Sequence, residues 1–328
     1  MAAATLHQLD RPFLTDAGLE TDILFNRGID LPHFASITLL QTDEGRQALE
    51  DYFSGFIELA RRMDTGLILE SATWRASLDW AEPLGLSREE LDALNNEAVS
   101  LLICLREKAP AGLPIIISGC IGPRGDGYDP GRIMRPEEAE AYHFHQAKVL
   151  VAAGADMLSG ITMTNVPEAI GLARAARKSG ASVAISFTVE TDGHLPTGEE
   201  LRDAIATVDE STASYPAYYM INCAHPTHIA SSLEDGAAWT ERVRGLRANA
   251  SRCTHAELDA MTELDKGDPV ELAELHRQLK EAFPQLTILG GCCGTDLGHV
   301  TAIAEACFSH CAVVWPAISS ATASLRAG

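Results

Sequence analysis

The chain has 328 residues, with 25 Lys+Arg against 46 Asp+Glu, a formal net charge of −21. A hydrophobic content of 46% and a charged content of 22% are those of a soluble globular protein that can bury a large core. The acidic balance excludes the clustered Lys and Arg that nucleic acid or an anionic membrane surface requires, and no apolar run reaches the ~18–20 residues of a bilayer span.

Taken in chain order, the N-terminal MAAATLHQLDRPFL has no basic segment followed by an apolar one, so the sequence predicts a cytoplasmic protein without a signal peptide. Short apolar runs then alternate with helical patterns. Strands are predicted at 13–16, 67–70, 114–119, 156–160, 183–188, 217–222, 244–249 and 286–291. They are apolar throughout rather than alternating, which suits strands buried on both faces of a parallel sheet. Between them, 45–63, 136–153, 166–179 and 269–283 carry apolar residues at three- and four-residue spacing. Ser87 with Glu90 and Thr197 with Glu200 predict capping boxes, and Asp268-Pro269 a capped helix start. The glycine-rich 119–131 has two prolines and no helix start, and is predicted as a loop over the mouth of the fold.

Eight strand–helix units, with no linker and no composition shift, predict an α/β protein: a single (β/α)8 TIM barrel forming one domain over 1–328. An open doubly wound sheet is the alternative, but no G-x-G-x-x-G follows a strand to give it a dinucleotide site. In a barrel the chemistry sits after the C-terminal ends of the strands. Those positions hold Asp16 to Asp22, Glu70 to Trp74, Ile161 to Asn165, Asn222-Cys223 and Cys292-Cys293-Gly294-Thr295.

Of the eight cysteines, Cys104, Cys120, Cys253, Cys307 and Cys311 read as small buried hydrophobes. Cys223, Cys292 and Cys293 converge from strands 6 and 8, about 10 Å apart by strand spacing and within reach of one ion. Zinc prefers such thiolates, and three protein ligands leave a fourth position for water or substrate. Adjacent cysteines on a regular strand point to opposite faces, but Gly290, Gly291 and Gly294 offer the freedom to turn both sulfurs inward. The competing reading is a buried vicinal thiol pair that closes on oxidation, beside an unrelated core Cys223.

From LTDAGLETDILFNRG near the N-terminus to ILGGCCGTD near the C-terminus, the chain resembles the zinc-dependent homocysteine S-methyltransferases. INCAHP resembles that family's Asn-Cys strand end, SGCIGPRGDGY its strand-3 loop, GHLPTGEEL its strand-5 loop and RANAS its strand-7 segment. The Asn-Cys, followed about 70 residues later by Gly-Gly-Cys-Cys-Gly-Thr, is the most specific of these matches. The resemblance implies Zn2+ held by Cys223, Cys292 and Cys293. It also implies a small thiol acceptor, homocysteine or a relative, and a cationic sulfonium or ammonium methyl donor. Asp16 is implied to orient the thiol or the donor and to act in catalysis. Ala17, Thr162, Glu70, Trp74 and Asn222 are implied to line the substrate site, with Trp74 and Glu70 facing the donor cation.

Two positions depart from the family pattern. The usual strand-4 Glu-Thr is here Ile161-Thr162, and the strand-1 Asp-Gly is Asp16-Ala17. An isoleucine cannot pair an ammonium. Either the acceptor lacks a charged amine at that position, or another acid such as Glu70 or Asp16 has taken over. His225, two residues after Cys223, reads as a loop or capping residue, His143 and His145 as solvated or interhelical, and His299 as structural. A same-fold zinc enzyme with a divergent substrate, or a non-catalytic zinc or redox-responsive thiol protein, is the alternative function. No nucleic-acid or membrane partner is expected, and a homo-oligomer is compatible with the sequence.

Overall fold

A computed structural model describes residues 7–233 and 238–308. Eight parallel strands pair in sequence order and close on themselves: β1 Phe13–Thr15, β2 Gly66–Glu70, β3 Ile115–Ile121, β4 Met157–Met163, β5 Val183–Phe187, β6 Tyr218–Asn222, β7 Val243–Ala248 and β8 Ile288–Gly291. Each is followed by at least one helix, so the architecture is the (β/α)8 barrel. No helix among the described residues is long and apolar enough to cross a membrane.

The period-two alternation of the strands divides the core in two. Leu14, Leu67, Leu69, Ile117, Leu158, Ile185, Ile221, Leu246 and Leu289 face outward and pack under the helices. Phe13, Ile68, Cys120, Met157, Ile161, Ala184, Tyr218, Met220 and Ile288 fill the barrel itself. The ring closes where β1 meets β8 through only Phe13↔Ile288 and Leu14↔Leu289, against four residue pairs at each of β2–β3 and β7–β8.

The helix starts show which local signals were sufficient. Ser87 and Glu90 form the expected reciprocal cap of the helix Arg88–Lys108, and Asp268 caps Pro269–Ala282. Thr197 and Glu200 do not form a capping box. The helix there begins at Leu201 with Glu200 as its cap residue, and the Thr197 hydroxyl donates to the Thr164 carbonyl instead. Short helical turns over Leu19–Gln41 and at His255–Ala260 were not expected. Cys120 is buried, but Cys104 is exposed and Cys253 and Cys307 are half-buried, so only the first behaves as a core residue. Cys311 lies outside the described residues.

Candidate active site at the barrel mouth

A cavity of about 400 Å³ opens at the C-terminal ends of the strands. The sulfurs of Cys223, Cys292 and Cys293 all lie within 4.8 Å of one another in its wall, an arrangement that fits a metal ion. Cys223 and Cys292 are in disulfide contact with Cα atoms 5.5 Å apart, within the range such a bridge needs. That is closer than two strand spacings because both backbones fold over the end of β7. Cys223 N–H donates to the Arg247 carbonyl at 3.1 Å, and Cys292 N–H to the Ala248 carbonyl at 2.8 Å. The pairing therefore joins thiols from different strands, not the adjacent Cys292 and Cys293 that a vicinal pair would use. Burial pushes the Cys293 thiol up to about 11, so without a metal it holds its proton at neutral pH.

The glycines around the thiols act differently from one another. Gly294 adopts φ +80, where a side chain is strained. Gly290 and Gly291 serve close approach: a Cβ at either would collide with the Thr15 or Thr295 hydroxyl.

Asn222 is fully buried and holds the site's strained backbone. Thr162, at φ +64, and Cys223, at φ +53, are both non-glycine residues in the left-handed region. The Asn222 Oδ1 accepts from Thr162 N–H at 2.9 Å and from the Ser186 hydroxyl at 2.6 Å, and its Nδ2 donates to Thr162 Oγ1 at 2.8 Å. One carboxamide thus ties β4, β5 and β6 together beside the sulfurs. Ile161-Thr162-Met163 lie within the end of β4, where its register with β5 shifts, rather than in the loop after it.

Asp16 and Glu70 reach the cavity floor, and both approach an arginine that sequence reasoning missed. Arg247 is 6% exposed; its Nη2 donates to Asp16 Oδ1 at 2.6 Å and its Nη1 lies 3.8 Å from Glu70. Burial pushes Asp16 up to about 7, with Arg247 pulling it down and Glu70 and Glu20 adding to the rise. Burial likewise raises Glu70 and Glu20. Burial disfavours the Arg247 charge, yet Asp16 and Glu70 outweigh it and hold its pKa above the ordinary value. Ala17 is buried, its N–H donating to the Tyr52 hydroxyl at 3.1 Å and its carbonyl accepting from Arg247 at 3.2 Å.

Trp74 lines the cavity, and its indole N–H donates to the Ile161 carbonyl at 3.1 Å. Its ring is already covered by a cation of the protein: the Arg75 guanidinium lies 5.0 Å from the Trp74 centroid and 4.7 Å from that of Trp80. Arg75 is fixed there by the His33 carbonyl and by Asp126 at 3.0 Å. Of the predicted loop 119–131, residues 119–121 are the end of β3, and the remainder passes the mouth, with Asp126, Gly127 and Tyr128 lining the cavity. It carries Tyr128, a second residue that sequence reasoning passed over, whose hydroxyl donates to Cys293 Sγ at 3.5 Å. The Tyr128 ring stacks on His255 at 4.0 Å, and His255 bonds Glu190 at 3.0 Å and the Cys223 carbonyl at 2.8 Å.

The four histidines singled out in the sequence bond within the fold. His225 caps the helix Pro226–Ser232, His143 pairs with Glu168 between helices at 2.9 Å, His145 bridges to Asp92 at 2.7 Å, and His299 bonds Asp296 and the Lys266 carbonyl.

Residues 13–307 match the family model described as homocysteine S-methyltransferase. The chain is 27% identical over 252 residues to a homocysteine S-methyltransferase of Escherichia coli strain K12, covering 71% of this chain and 77% of that one. It is 24% identical over 286 residues to the homocysteine S-methyltransferase YbgG of Bacillus subtilis strain 168, covering 82% and 85%. Among solved structures, the metallated form of the Escherichia coli homocysteine methyltransferase MmuM superposes with a TM-score of 0.69 at 21% identity, over 92% of this chain and 98% of that one. At that identity the structural likeness is one of fold.

Proposed function

Because this chain belongs to the homocysteine S-methyltransferase family, we propose that it moves a methyl group from a cationic sulfonium or ammonium donor to a small thiol bound at Cys223, Cys292 and Cys293. The single observation that carries the reading is the set of three sulfurs within 4.8 Å of one another, facing a cavity that also holds buried acids. Three thiols with an open side fit zinc, which when bound supplies a fourth position where an acceptor thiol is held as thiolate near neutral pH.

The rest of the chemistry falls to the chain's own residues. In the transfer, the acceptor sulfur forms a bond to the methyl carbon as the donor's S–C or N–C bond breaks. The bonding electron pair stays on the leaving sulfur or nitrogen, whose positive charge is thereby cancelled. No acid need protonate that leaving group, so the protein's task is alignment and charge placement. Asn222 and Thr162 set the rim against which the acceptor sulfur is placed. Tyr128, held by its stack on His255, closes the cavity over Cys293. Glu20, Asp16 and Glu70 give the cavity an acidic wall for a cationic donor, and Trp74 lines the same cavity with Arg75 over its ring.

The test is transfer of labelled methyl from S-methylmethionine or betaine to homocysteine by zinc-loaded protein. Product is expected from the native sequence and none from Cys293→Ala; equal turnover by the two proteins would refute the ligand assignment. A thiol protein that closes on oxidation is the second reading, favoured by the Cys223–Cys292 contact. Zinc retention without methylation of any thiol would select it.

A further inference from the structure

Each of the three clustered sulfurs meets a hydrogen-bond donor of the chain, and each donor stands on a different element. Asn222 Nδ2, at the end of β6, donates to Cys292 Sγ at 3.7 Å. The Thr162 hydroxyl, near the end of β4, lies 3.8 Å from Cys223 Sγ. Its oxygen already accepts from Asn222 Nδ2 at 2.8 Å, so its own proton is free for a sulfur that, as thiolate, can only accept. The Tyr128 hydroxyl, on the loop after β3, donates to Cys293 Sγ at 3.5 Å.

All three cysteines line the cavity that a methyl donor must enter. A thiolate there is a nucleophile whether it belongs to an acceptor or to the chain. A hydrogen bond to a thiolate is charge-assisted, and most of it is lost when methylation turns the sulfur into a neutral thioether, a weak acceptor. Such a bond therefore stabilises the thiolate more than the transition state for its methylation, and slows attack by that sulfur. Asn222 and Thr162 are strand-end residues bonded to each other, whereas Tyr128 reaches its sulfur from a loop. Its ring stacks on His255 at 4.0 Å and 10° between planes, and its amide donates to Asp126 Oδ1 at 2.8 Å. The hydroxyl is thereby held on Cys293.

We propose that these donors steer the methyl group to the acceptor by damping the chain's own cysteines, with Tyr128 the specificity-determining residue at Cys293. This rests on the reading that a thiol is methylated at the cysteine cluster. The suppressed reaction is attack of Cys293 Sγ on the methyl carbon as the donor's S–C or N–C bond breaks, the bonding pair leaving with the donor's sulfur or nitrogen. Its product, S-methylcysteine, is a neutral thioether, so one misdirected transfer removes a thiolate from the cluster. Asn222 also holds the backbone of β4 and cannot be changed for this purpose alone. Tyr128→Phe keeps the ring and its stack and removes only the donor.

The test exposes the zinc-loaded full chain, without acceptor thiol, to iodomethane. Methylation of each cysteine is followed by peptide mass mapping, with zinc content measured alongside. Cys293 of Tyr128→Phe is expected to be methylated about 4- to 12-fold faster than in the native protein, the effect of about half a charge-assisted hydrogen bond at the transition state, with Cys223 and Cys292 unchanged. The proposal is overturned if Cys293 reacts equally fast in both proteins or if all three cysteines accelerate alike. It is also overturned if Tyr128→Phe fails to retain zinc, which would make the hydroxyl a structural support. Iodomethane needs no donor site, so this proposal and the methyl-transfer reading fail separately. A selective gain at Cys293 in a protein that methylates no thiol would sink the methyl-transfer reading and leave the shielding standing. Homocysteine methylation by a protein whose Cys293 is indifferent to Tyr128 would do the reverse.

Discussion

Asn222→Ala separates a residue that builds the site from one that merely lies near it. The substitution removes the acceptor of two buried donors, the Thr162 amide at 2.9 Å and the Ser186 hydroxyl at 2.6 Å, and the donor to Thr162 Oγ1. Stripping a buried donor of its partner costs ~1–3 kcal/mol each. Thr162 leaving its left-handed conformation returns part of that, because a β-branched residue there stores ~1–3 kcal/mol. The net loss is about 2–4 kcal/mol. At ~2.1 cal/mol/K per residue, over 328 residues, that lowers Tm by about 3–6 °C. The relaxation of Thr162 also moves the support beside Cys223, so zinc affinity, measured by chelator competition, is expected to fall by roughly 10- to 100-fold. Ser186→Ala removes only one of these bonds and serves as the control, with a loss of about 1 kcal/mol and unchanged zinc affinity. An Asn222→Ala protein that melts within a degree of the native one and binds zinc equally well would refute the account of a clamped rim.

Three further outcomes are expected. Cys292→Ala and Cys293→Ala should each lose zinc by metal analysis and lose methyl transfer while keeping the native far-UV circular dichroism, since the apolar filling of the barrel does not include the rim thiols; either variant retaining about one zinc per chain would contradict this. Oxidation of metal-free protein should link Cys223 to Cys292, reversibly by thiol reductant, and peptide mapping that finds Cys292 joined to Cys293 would exclude the observed geometry. Acid should destabilise the fold through His276, whose pKa burial pushes down to about 4 against the opposing Leu272 carbonyl. Between pH ~6.5 and 4 the unfolded chain takes up a proton that the folded one refuses, so stability falls with pH, by about 2 kcal/mol between pH 7 and 5. Urea titrations of His276→Gln should show that slope reduced, and an unchanged slope would assign the acid sensitivity elsewhere.

The three thiols were legible in the sequence because their chemistry is carried by residue type, and strand order alone brings β6 and β8 to the same rim. The eight strands were legible for a similar local reason: runs buried on both faces are apolar throughout. Arg247 was hidden by the same rule, since RGLRAN reads as an ordinary strand and burial of its guanidinium depends on Asp16 and Glu70 from distant strands. A signal did exist in the alternation of β7. Leu246 and Ala248 pack under the helices, which places Gly245 and Arg247 on the inward row with Glu70 and Asn222. Tyr128 gave no comparable sign, because its position follows from the path of a loop and from a stack on His255, 127 residues later. Thr197 failed as a cap because a tertiary partner, the Thr164 carbonyl, won its hydroxyl.

The short pairing of β1 with β8 gives the cysteines a second importance. Two residue pairs close the ring there, and Gly291, the residue before Cys292, extends the seam by donating its N–H to the Asp16 carbonyl at 3.0 Å. An ion gripped by Cys223, Cys292 and Cys293 would tie β8 to β6 one residue after Gly291, and so steady the β8 side of that joint without itself crossing to β1. Ring integrity and metal occupancy are then linked quantities, each ligand concentration adding its own increment to resistance against heat. A barrel that gains its last fastening from a reactive thiol cluster can be loosened by an oxidant or a chelator acting at the rim, with the apolar interior untouched.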